Sequence, residues 1–261
     1  MRDDFDILTY QFPRSKHGID IIPISDIHLG AAECMESQWE QFCDEILKRK
    51  NAYIILNGDL INNATRNSVS DVYAEVLPPH MQKDKMAEYL APIKDKILLV
   101  TEGNHELRTA KDCDSYINYD ICCRLSIEDK YRPNAGFMII RFDDLDKPGK
   151  MAGAKRPTYT LCATHGAGTT IKRFQDFASN IDNLDVMVVG HTHKPIVTKN
   201  KKLFIDTHNN KVSAKNFNVC VAGSWLDYGG YAMRKMYVPG ANALQTIHLA
   251  GDHKQTSITM Y

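Results

Sequence analysis

The sequence predicts an α/β fold. Apolar runs of strand length alternate along the chain with segments in which apolar residues recur at every third or fourth position, as they do in amphipathic helices. Three of the apolar runs, at 19–24, 52–57 and 97–102, lead directly into short polar motifs. This pattern is typical of buried strands that present polar groups at the carboxyl edge of an open α/β sheet.

The first half of the chain alternates strand and helix patterns. Residues 35–50 predict a helix because Trp39, Phe42 and Ile46 recur at helical spacing. A polar connection over 62–82 contains Pro78-Pro79, and long connections at strand ends are often functional. In chain order the predicted elements are a strand at 19–24, a helix at 35–50, a strand at 53–56, a short helix near 70–76, a helix at 83–93, a strand at 97–102 and a helix at 115–125.

The second half is richer in strand patterns and turns. Beyond Pro195 we expect short strands, with a turn at Asn209-Asn210. In chain order the predicted elements are a strand at 137–142, a polar loop at 143–157, a strand at 159–163, a helix at 169–181, a strand at 186–189, and strands of a second sheet at 223–226 and 245–249. With no internal repeat or linker, we expect one domain over residues 1–261.

Composition limits the classes of function. The chain has 32 Lys and Arg and 32 Asp and Glu, so it has no overall excess of positive charge that would indicate binding to nucleic acid or to an anionic membrane. Binding of such a partner through a local basic patch stays open. The first residues lack the apolar core of a signal peptide, and no window reaches the length of a transmembrane helix. We therefore expect a cytoplasmic protein with no membrane partner.

The seven cysteines form an odd set without a Cys-x-x-Cys pair. This argues against both a disulfide framework and a structural zinc site bound by thiolates. We expect reduced and mostly buried thiols.

Polar motifs follow the apolar runs in five places. They combine carboxylate and amide oxygens with imidazoles and contain no thiolate, a donor set that suits divalent Mn, Fe, Zn or Ni. Residues i and i+2 of an extended segment point to the same side, so Asp26 can converge with His28, and His191 with His193. The motifs are Asp26-x-His28, Gly58-Asp59, Gly103-Asn104-His105-Glu106, His165 and Gly190-His191-x-His193. Taken alone, Asp26-x-His28 and Gly58-Asp59 are more typical of a cap or a turn, His193 of an exposed loop and His165 of a buried core position.

Taken together and in this order, the five motifs resemble the signature of the calcineurin-like metallophosphoesterase superfamily. The resemblance implies two packed, mixed β-sheets flanked by helices, in a four-layer α/β/β/α sandwich. It also implies two divalent metal ions, for which we expect Mn first and leave Fe, Zn or Ni open. In the implied assignment Asp59 bridges both metals, while Asp26, His28 and His193 complete one site, and Asn104, His165 and His191 the other.

The resemblance also implies a mechanism. Two cations about 3.5 to 4 Å apart can hold a hydroxide that attacks the phosphorus atom and can stabilise the leaving oxygen. By its position in the motif, His105 contacts the substrate phosphate and assists the leaving group, and we expect Glu106 to orient its imidazole. Asp59 and His105 are therefore the predicted catalytic residues.

The sequence leaves the substrate open. Leu60-Ile61-Asn62-Asn63 stands where protein Ser/Thr phosphatases of the superfamily have a Val-Asp-Arg-Gly type of sequence, which disfavours that activity. We expect a phosphodiesterase acting on phosphate esters, with nucleotides as a possible substrate, and keep open a repair-type DNA nuclease and an inert scaffold. Asn104, His105, Arg108 and Arg66 are the candidate substrate-binding residues, the two arginines because they can hold phosphate oxygens. The oligomeric state is not readable.

Overall fold

The computed structural model describes residues 4–66, 68, 72–143 and 156–261. Within these ranges the strands are β1 Leu8–Pro13, β2 Ile19–Ile24, β3 Ala52–Asn57, β4 Ile97–Thr101, β5 Tyr131–Arg132, β6 Ala135–Asp143, β7 Thr158–Thr164, β8 Val186–Val189, β9 Ile196–Asp206, β10 Lys211–Val221, β11 Gln245–Leu249 and β12 Thr256–Met260. The helices are α1 Glu36–Lys48, α2 Pro79–Leu90, α3 Glu106–Cys113, α4 Ile117–Leu125, α5 Ile171–Ser179 and α6 Gly230–Arg234, with 3₁₀ turns at Val72–Ala74, Ala91–Lys96 and Glu128–Lys130.

The strands form two six-stranded sheets. The first sheet has the order β12-β11-β2-β3-β4-β5, in which β2 to β5 are parallel and β11 runs antiparallel to both of its neighbours. The second sheet has the order β1-β6-β7-β8-β10-β9 and is also mixed. Parallel strands need crossover connections, and α1 and α2 supply them between β2, β3 and β4.

Three apolar clusters hold the layers together. The central cluster lies between the sheets and joins residues such as Ile55 and Leu99 of the first sheet to Ile140 and Leu161 of the second. On the outer side of the first sheet, the buried face of α1 packs with α2, α4 and Trp225. On the outer side of the second sheet, α5 packs through Phe174 and Ala178. The expected α/β/β/α sandwich of two mixed sheets is therefore confirmed.

Several element predictions need correction. The strand at 245–249 is present as β11, but it pairs with β2 in the first sheet, so its placement in the second sheet was wrong. Residues 223–226 form no strand beyond an isolated bridge between Cys34 and Leu226. The helix predicted at 83–93 begins earlier, at Pro79, because proline is well accommodated in the first turn.

Other elements were not expected or were expected to be shorter. Strands β1 and β12 and helix α3 were not expected, and the short strands beyond Pro195 are instead the 11-residue strands β9 and β10. The loop predicted at 143–157 and the short helix near 70–76 lie partly outside the described residues.

All seven cysteines carry free thiols, as expected, and Cys43, Cys122, Cys162 and Cys220 are buried. In the part of the chain that the structure describes, none of the helices is both long and apolar enough to cross a membrane.

Candidate metal centre

The polar motifs meet where the strands of both sheets end. Strands β2, β3 and β4 are parallel, so the residues that follow them lie at one edge of the first sheet. Strands β7 and β8 are parallel neighbours in the second sheet and present His165 and His191 at the facing edge. The tertiary structure thus brings together all seven residues predicted as metal ligands.

One group of donor atoms is formed by Asp26, His28 and His193. The Nε2 atom of His193 lies 3.1 Å from Oδ1 of Asp26 and 3.3 Å from Nε2 of His28. The Nε2 atom of His28 lies 3.8 Å from the same Asp26 oxygen. These three side chains therefore face a common point, and one donor atom from each lies within 4.8 Å of the others.

A second group is formed by Asn104, His165 and His191. The Oδ1 atom of Asn104 lies 3.1 Å from Nε2 of His165 and 2.7 Å from Nδ1 of His191. The other ring nitrogen of His165, Nδ1, donates to the carbonyl oxygen of Asn57 at 2.8 Å, so its Nε2 points into the group. A hydrogen bond of this kind sets the tautomer and orientation of a ligating imidazole.

Asp59 lies between the two groups. Its Oδ2 atom is 3.9 Å from Nε2 of His28 on one side and 3.3 Å from Nε2 of His165 on the other. Its Oδ1 atom accepts the backbone N–H of His105 at 2.8 Å, which fixes the orientation of the carboxylate. One buried carboxylate thus faces both sets of imidazoles.

The backbone is strained where these side chains converge. Asp26, His28, Asp59, His191 and His193 all have positive φ, between 51° and 69°. For residues other than glycine this left-handed conformation costs free energy and persists only where the surrounding structure imposes it. Such strain concentrates at functional sites, and here it lies in three of the five motifs, those of Asp26 and His28, of Asp59, and of His191 and His193.

A family comparison agrees with this geometry. The model of the calcineurin-like phosphoesterase family matches residues 19–195, a range that contains all seven of these side chains. The chain belongs to the calcineurin-like phosphoesterase family. Its C-terminal segment from Ile196, including β9 and β10, lies beyond the matched range.

Similarity to individual proteins is remote. No curated protein matches the chain. Among solved structures, Vps29 from Chaetomium thermophilum is 10% identical, with 94% of this chain and 96% of the other covered and a TM-score of 0.43. The phosphopantetheinyl hydrolase PptH from Mycobacterium tuberculosis is 12% identical, with 87% and 100% covered and a TM-score of 0.35. At these identities and TM-scores neither structure bears on the activity of this chain.

The charges of the cluster fit divalent cations. Burial raises the pKa of Asp59, but the His165 and His105 imidazoles lower it by more than burial raises it. The pKa of this carboxyl therefore lies below its usual range. Burial lowers the pKa of His165, whereas the carboxylates of Asp59 and Asp26 raise it to about 10. In the protein without metal, a proton on His165 therefore supplies the positive charge that these carboxylates attract.

An unpartnered oxygen gives a second indication of fit. Oδ1 of Asp26 is fully buried and has no hydrogen-bond partner among the described residues, although Nε2 of His193 is only 3.1 Å away. A buried carboxylate oxygen without a hydrogen bond is costly unless another positive group satisfies it. Oxygen and imidazole donors facing one point suit a divalent metal, so the residues present fit the metals that the family implies.

His105 lies beside this cluster but is held differently from the expected ligands. Its Nδ1 atom donates to the backbone carbonyl oxygen of Asn62 at 2.7 Å, and its Nε2 atom lies 3.9 Å from Oδ2 of Asp59. Burial and the nearby His28 lower the pKa of His105 to about 3, against the smaller opposing effect of Asp59. The imidazole is therefore neutral in the free protein, with Nε2 open toward the site.

The expected role of Glu106 was wrong. Its carboxylate accepts four backbone N–H groups, those of Asp59, Leu60, Ile61 and Gly103, at 2.6 to 3.2 Å. Glu106 thus fixes the turn after β3 against the turn after β4, and the Asn62 carbonyl orients His105 in its place. Every residue carries a backbone carbonyl, so no sequence pattern marks the one that orients His105.

The Asn62 carbonyl is itself held by the connection that follows it. The amide oxygen of Gln82, a fully buried residue, accepts the N–H of Asn63 at 2.9 Å, and its nitrogen donates to Glu75 and to the carbonyl of Leu77. Glu75 also accepts a hydrogen bond from Asn62. This network was missed because Gln82 stands 20 residues from Asn62, with no motif around it.

The two candidate arginines are placed differently. Arg108 is half-buried on α3, and its NH1 atom donates to the carbonyl of Asn62 at 3.2 Å, beside His105. Arg66 is exposed in the connection after Asn63, and none of the described hydrogen bonds or ion pairs joins it to the cluster. Both phosphate-binding assignments stay predictions.

Proposed function

We propose that this protein is a two-metal phosphodiesterase. In this proposal Asp26, His28 and His193 hold one cation with Asp59, and Asn104, His165 and His191 hold the other with the same carboxylate. The observation that supports it most directly is the position of Asp59 Oδ2, 3.9 Å from His28 Nε2 and 3.3 Å from His165 Nε2.

When bound, two divalent cations supply an activated water as the nucleophile and neutralise charge on the phosphate oxygens. We favour Mn²⁺ because the donor set mixes hard oxygens with imidazoles, and Fe, Zn and Ni suit the same donors. The proposed contribution of Asn104 and Arg108 is to orient the phosphate group. Arg66 joins them only if the connection it lies on approaches the substrate.

His105 supplies the proposed proton for the leaving group. Its Nδ1–H donates to the Asn62 carbonyl, so only Nε2 can exchange a proton with the substrate. The imidazole is neutral before substrate binds and takes up that proton when the anionic phosphodiester binds. A nearby negative charge favours the imidazolium form. When the bond from phosphorus to the leaving oxygen breaks, that oxygen takes the Nε2 proton and His105 returns to its neutral form.

The test is to purify the protein without chelator, measure its metal content, and compare Mn²⁺-supplemented hydrolysis of bis-p-nitrophenyl phosphate with that of p-nitrophenyl phosphate. We expect about two metals per chain, as a shared carboxylate implies, and preference for the diester. Asp59→Ala is expected to empty both sites and abolish turnover.

Each other outcome contradicts a named part of the proposal. Preference for the monoester indicates a small-molecule phosphatase, and two bound metals without turnover on any ester indicate a scaffold. Retention of two metals in Asp59→Ala contradicts the bridging role. Faster cleavage of single-stranded DNA than of nucleotide diesters indicates a nuclease.

A further inference from the structure

Strands β9 and β10 extend beyond the second sheet. They pair with each other over their whole lengths, from Ile196 opposite Val221 to Asp206 opposite Lys211. Strand β10 pairs with β8 only through Asn218–Val221. Residues 199–217 therefore form a two-stranded ribbon, called the ribbon below, that projects from the sheet. An isolated two-stranded hairpin is at best marginally stable in water, so its two faces need partners.

The inner face of the ribbon has partners within the chain. Phe217 is buried against the α5 side of the second sheet. Lys202 donates to the carbonyl of Ser179 at 2.7 Å, and Lys215 donates to Oδ1 of Asn183 at 2.8 Å. The segment that follows α5 thus covers this face.

The outer face carries an uncovered apolar block. Leu203 lies opposite Ala214, and Ile205 lies opposite Val212, so these four side chains share one face. Leu203 and Ile205 are each 71% exposed and Val212 is 64% exposed. Closer to the sheet, the same face continues into Val197 and Cys220, which contribute to the core between the sheets. Beyond that core nothing in the described chain covers the block.

Charge on the outer face has one sign. Lys199 and Lys201 lie on this face between the core and the apolar block, opposite Asn218 and Asn216. Both lysines are exposed and have no ion-pair partner among the described residues, and no acidic residue lies on this face. Strand β9 is the last strand of the sheet, so half of its backbone N–H and C=O groups point away from β10.

We propose that the ribbon binds an extended segment of a partner protein, which adds to the sheet as a strand beside β9. In such a strand every second side chain lies on the outer face. Those beside Leu203 and Ile205 are aliphatic, and those beside Lys199 and Lys201 are acidic. The recognised chemistry is thus a short segment whose alternate residues are acidic in one half and aliphatic in the other.

Two other occupants fit the observations less well. A second copy of the chain, paired through the same face, would offer no acidic side chain to Lys199 and Lys201, because this face carries none. It would also bring two sets of lysines together. A membrane would have to accommodate the ribbon tip, where Asp206 accepts the amides of His208 and Asn209 beyond the apolar block.

The binding probe is a fluorescein-labelled synthetic peptide of about eight residues, the length of an ordinary strand. Two Glu and then two Ile occupy its alternate positions, with Thr between them, and a second peptide has the reverse order. A matched peptide has Lys in place of Glu. Fluorescence anisotropy with the full chain is expected to show binding of one acidic peptide at least about tenfold tighter than of the Lys peptide, and slower hydrogen exchange in β9.

Two double variants test the site. Leu203→Thr with Ile205→Thr keeps strand propensity and removes the apolar block, and Lys199→Glu with Lys201→Glu reverses the charge. Each is expected to weaken binding of the acidic peptide at least about tenfold. Lys48→Glu with Lys50→Glu changes the net charge equally at the exposed end of α1 and is expected to leave binding within about twofold.

The Leu203 and Ile205 variant is expected to leave hydrolysis unchanged, because its positions lie opposite Ala214 and Val212, roughly 23 to 30 Å along β10 from the end that faces the metal centre. The proposal is overturned if neither acidic peptide binds, or if the Lys48 and Lys50 variant weakens binding as much as the ribbon variants. Concentration-dependent dimerisation that the Thr variant abolishes would replace the partner segment by a second copy. Binding to anionic phospholipid vesicles, without peptide binding, would replace it by a membrane.

Discussion

At the scale of single residues, the buried carboxylate of Glu102, close in sequence to the proposed metal ligand Asn104, has a raised pKa. Glu102 lies at the end of β4 and is almost fully buried. One of its oxygens accepts the amides of Asn118 and Tyr119 and the hydroxyl of Tyr131, while the other has no hydrogen-bond partner in the described chain. Burial, and then repulsion from Glu106, raise the pKa of Glu102 to about 8.

This pKa predicts how stability depends on pH. The folded protein holds the Glu102 proton above pH 4.5, where the unfolded chain has released it, so Glu102 makes the free energy of unfolding fall as the pH rises from 4.5 to about 8. Glu102→Gln keeps the accepting oxygen and is expected to stabilise the protein at pH 8 by about 4 kcal/mol relative to its effect at pH 4.5, since the pKa rises from 4.5 to about 8 and each unit is worth ~1.4 kcal/mol. Urea unfolding with chelator at both pH values measures this.

The control for that measurement is Glu88→Gln, which neutralises an exposed carboxylate on α2. It is expected to change the free energy of unfolding by less than about 0.5 kcal/mol at either pH. An equal effect of Glu102→Gln at pH 4.5 and pH 8 would contradict the raised pKa.

His105 allows a prediction about chemistry at the same scale. His105→Ala is expected to lower kcat by about 10² to 10⁴ while the bound metal stays near the wild-type amount, because the imidazole is assigned to the leaving group and not to a cation. The loss is expected to be larger for a diester with an alkyl leaving group than for one releasing p-nitrophenolate, which needs no proton.

His80→Ala, which removes an exposed imidazole from α2, serves as the matched control and is expected to have no effect. Loss of metal in His105→Ala would show that His105 is a ligand. An equal loss for both leaving groups would show that it acts elsewhere in the reaction.

At the scale of elements, the turns after β3 and β4 hold each other in place. Gly103 allows the closest approach between them: a Cβ atom added there would lie 2.1 Å from Oδ1 and 2.2 Å from N of Asp59. The four amides that Glu106 accepts come from these same two turns. The position of Asp59 is therefore set by backbone contacts between two strand ends.

Gly103→Ala is accordingly expected to displace the Asp59 carboxylate. We expect a destabilisation of about 1–3 kcal/mol from overpacking and a loss of bound metal, measured by thermal unfolding and elemental analysis. At Gly229 an added Cβ would meet its nearest neighbour, Cγ of Glu33, at an ordinary 3.6 Å. Gly229→Ala is the control, and equal metal loss in both variants would contradict the explanation.

At the scale of the whole molecule, the metal centre joins the two sheets. Asp26, Asp59 and Asn104 follow strands of the first sheet, whereas His165 and His191 follow strands of the second. A ligand that binds only the folded protein stabilises it by mass action. A cation held between these residues thus opposes separation of the sheets.

Mn²⁺ at about 100 times its Kd is therefore expected to raise the free energy of unfolding by about 2.7 kcal/mol per site. The corresponding rise in Tm is on the order of 5 °C. Differential scanning calorimetry of chelator-treated protein, with and without Mn²⁺, measures it independently of turnover. Asp59→Ala is expected to remove the rise, and a rise that persists in that variant would place the cation elsewhere.

The sequence by itself determined the strands that carry the motifs and the residue types presented at their ends. A strand sets the position of the residues that directly follow it, and parallel strands place their carboxyl ends at one edge of the sheet. For this reason Asp26, Asp59 and Asn104 could be assigned to one site from the chain alone. The motifs after the later strands added His165, His191 and His193 to the donor set, and the family resemblance divided the donors between two metals.

Only the tertiary structure decided which strands pair and which side chains contact which backbone groups. It placed β11 beside β2, gave Glu106 four backbone amides, set the Asn62 carbonyl against His105, and left the outer face of the ribbon uncovered. Hydrophobic periodicity reports which face of an element is buried but not which partner buries it. Pairing between strands distant in sequence, and hydrogen bonds to backbone groups, depend on contacts that no local pattern contains.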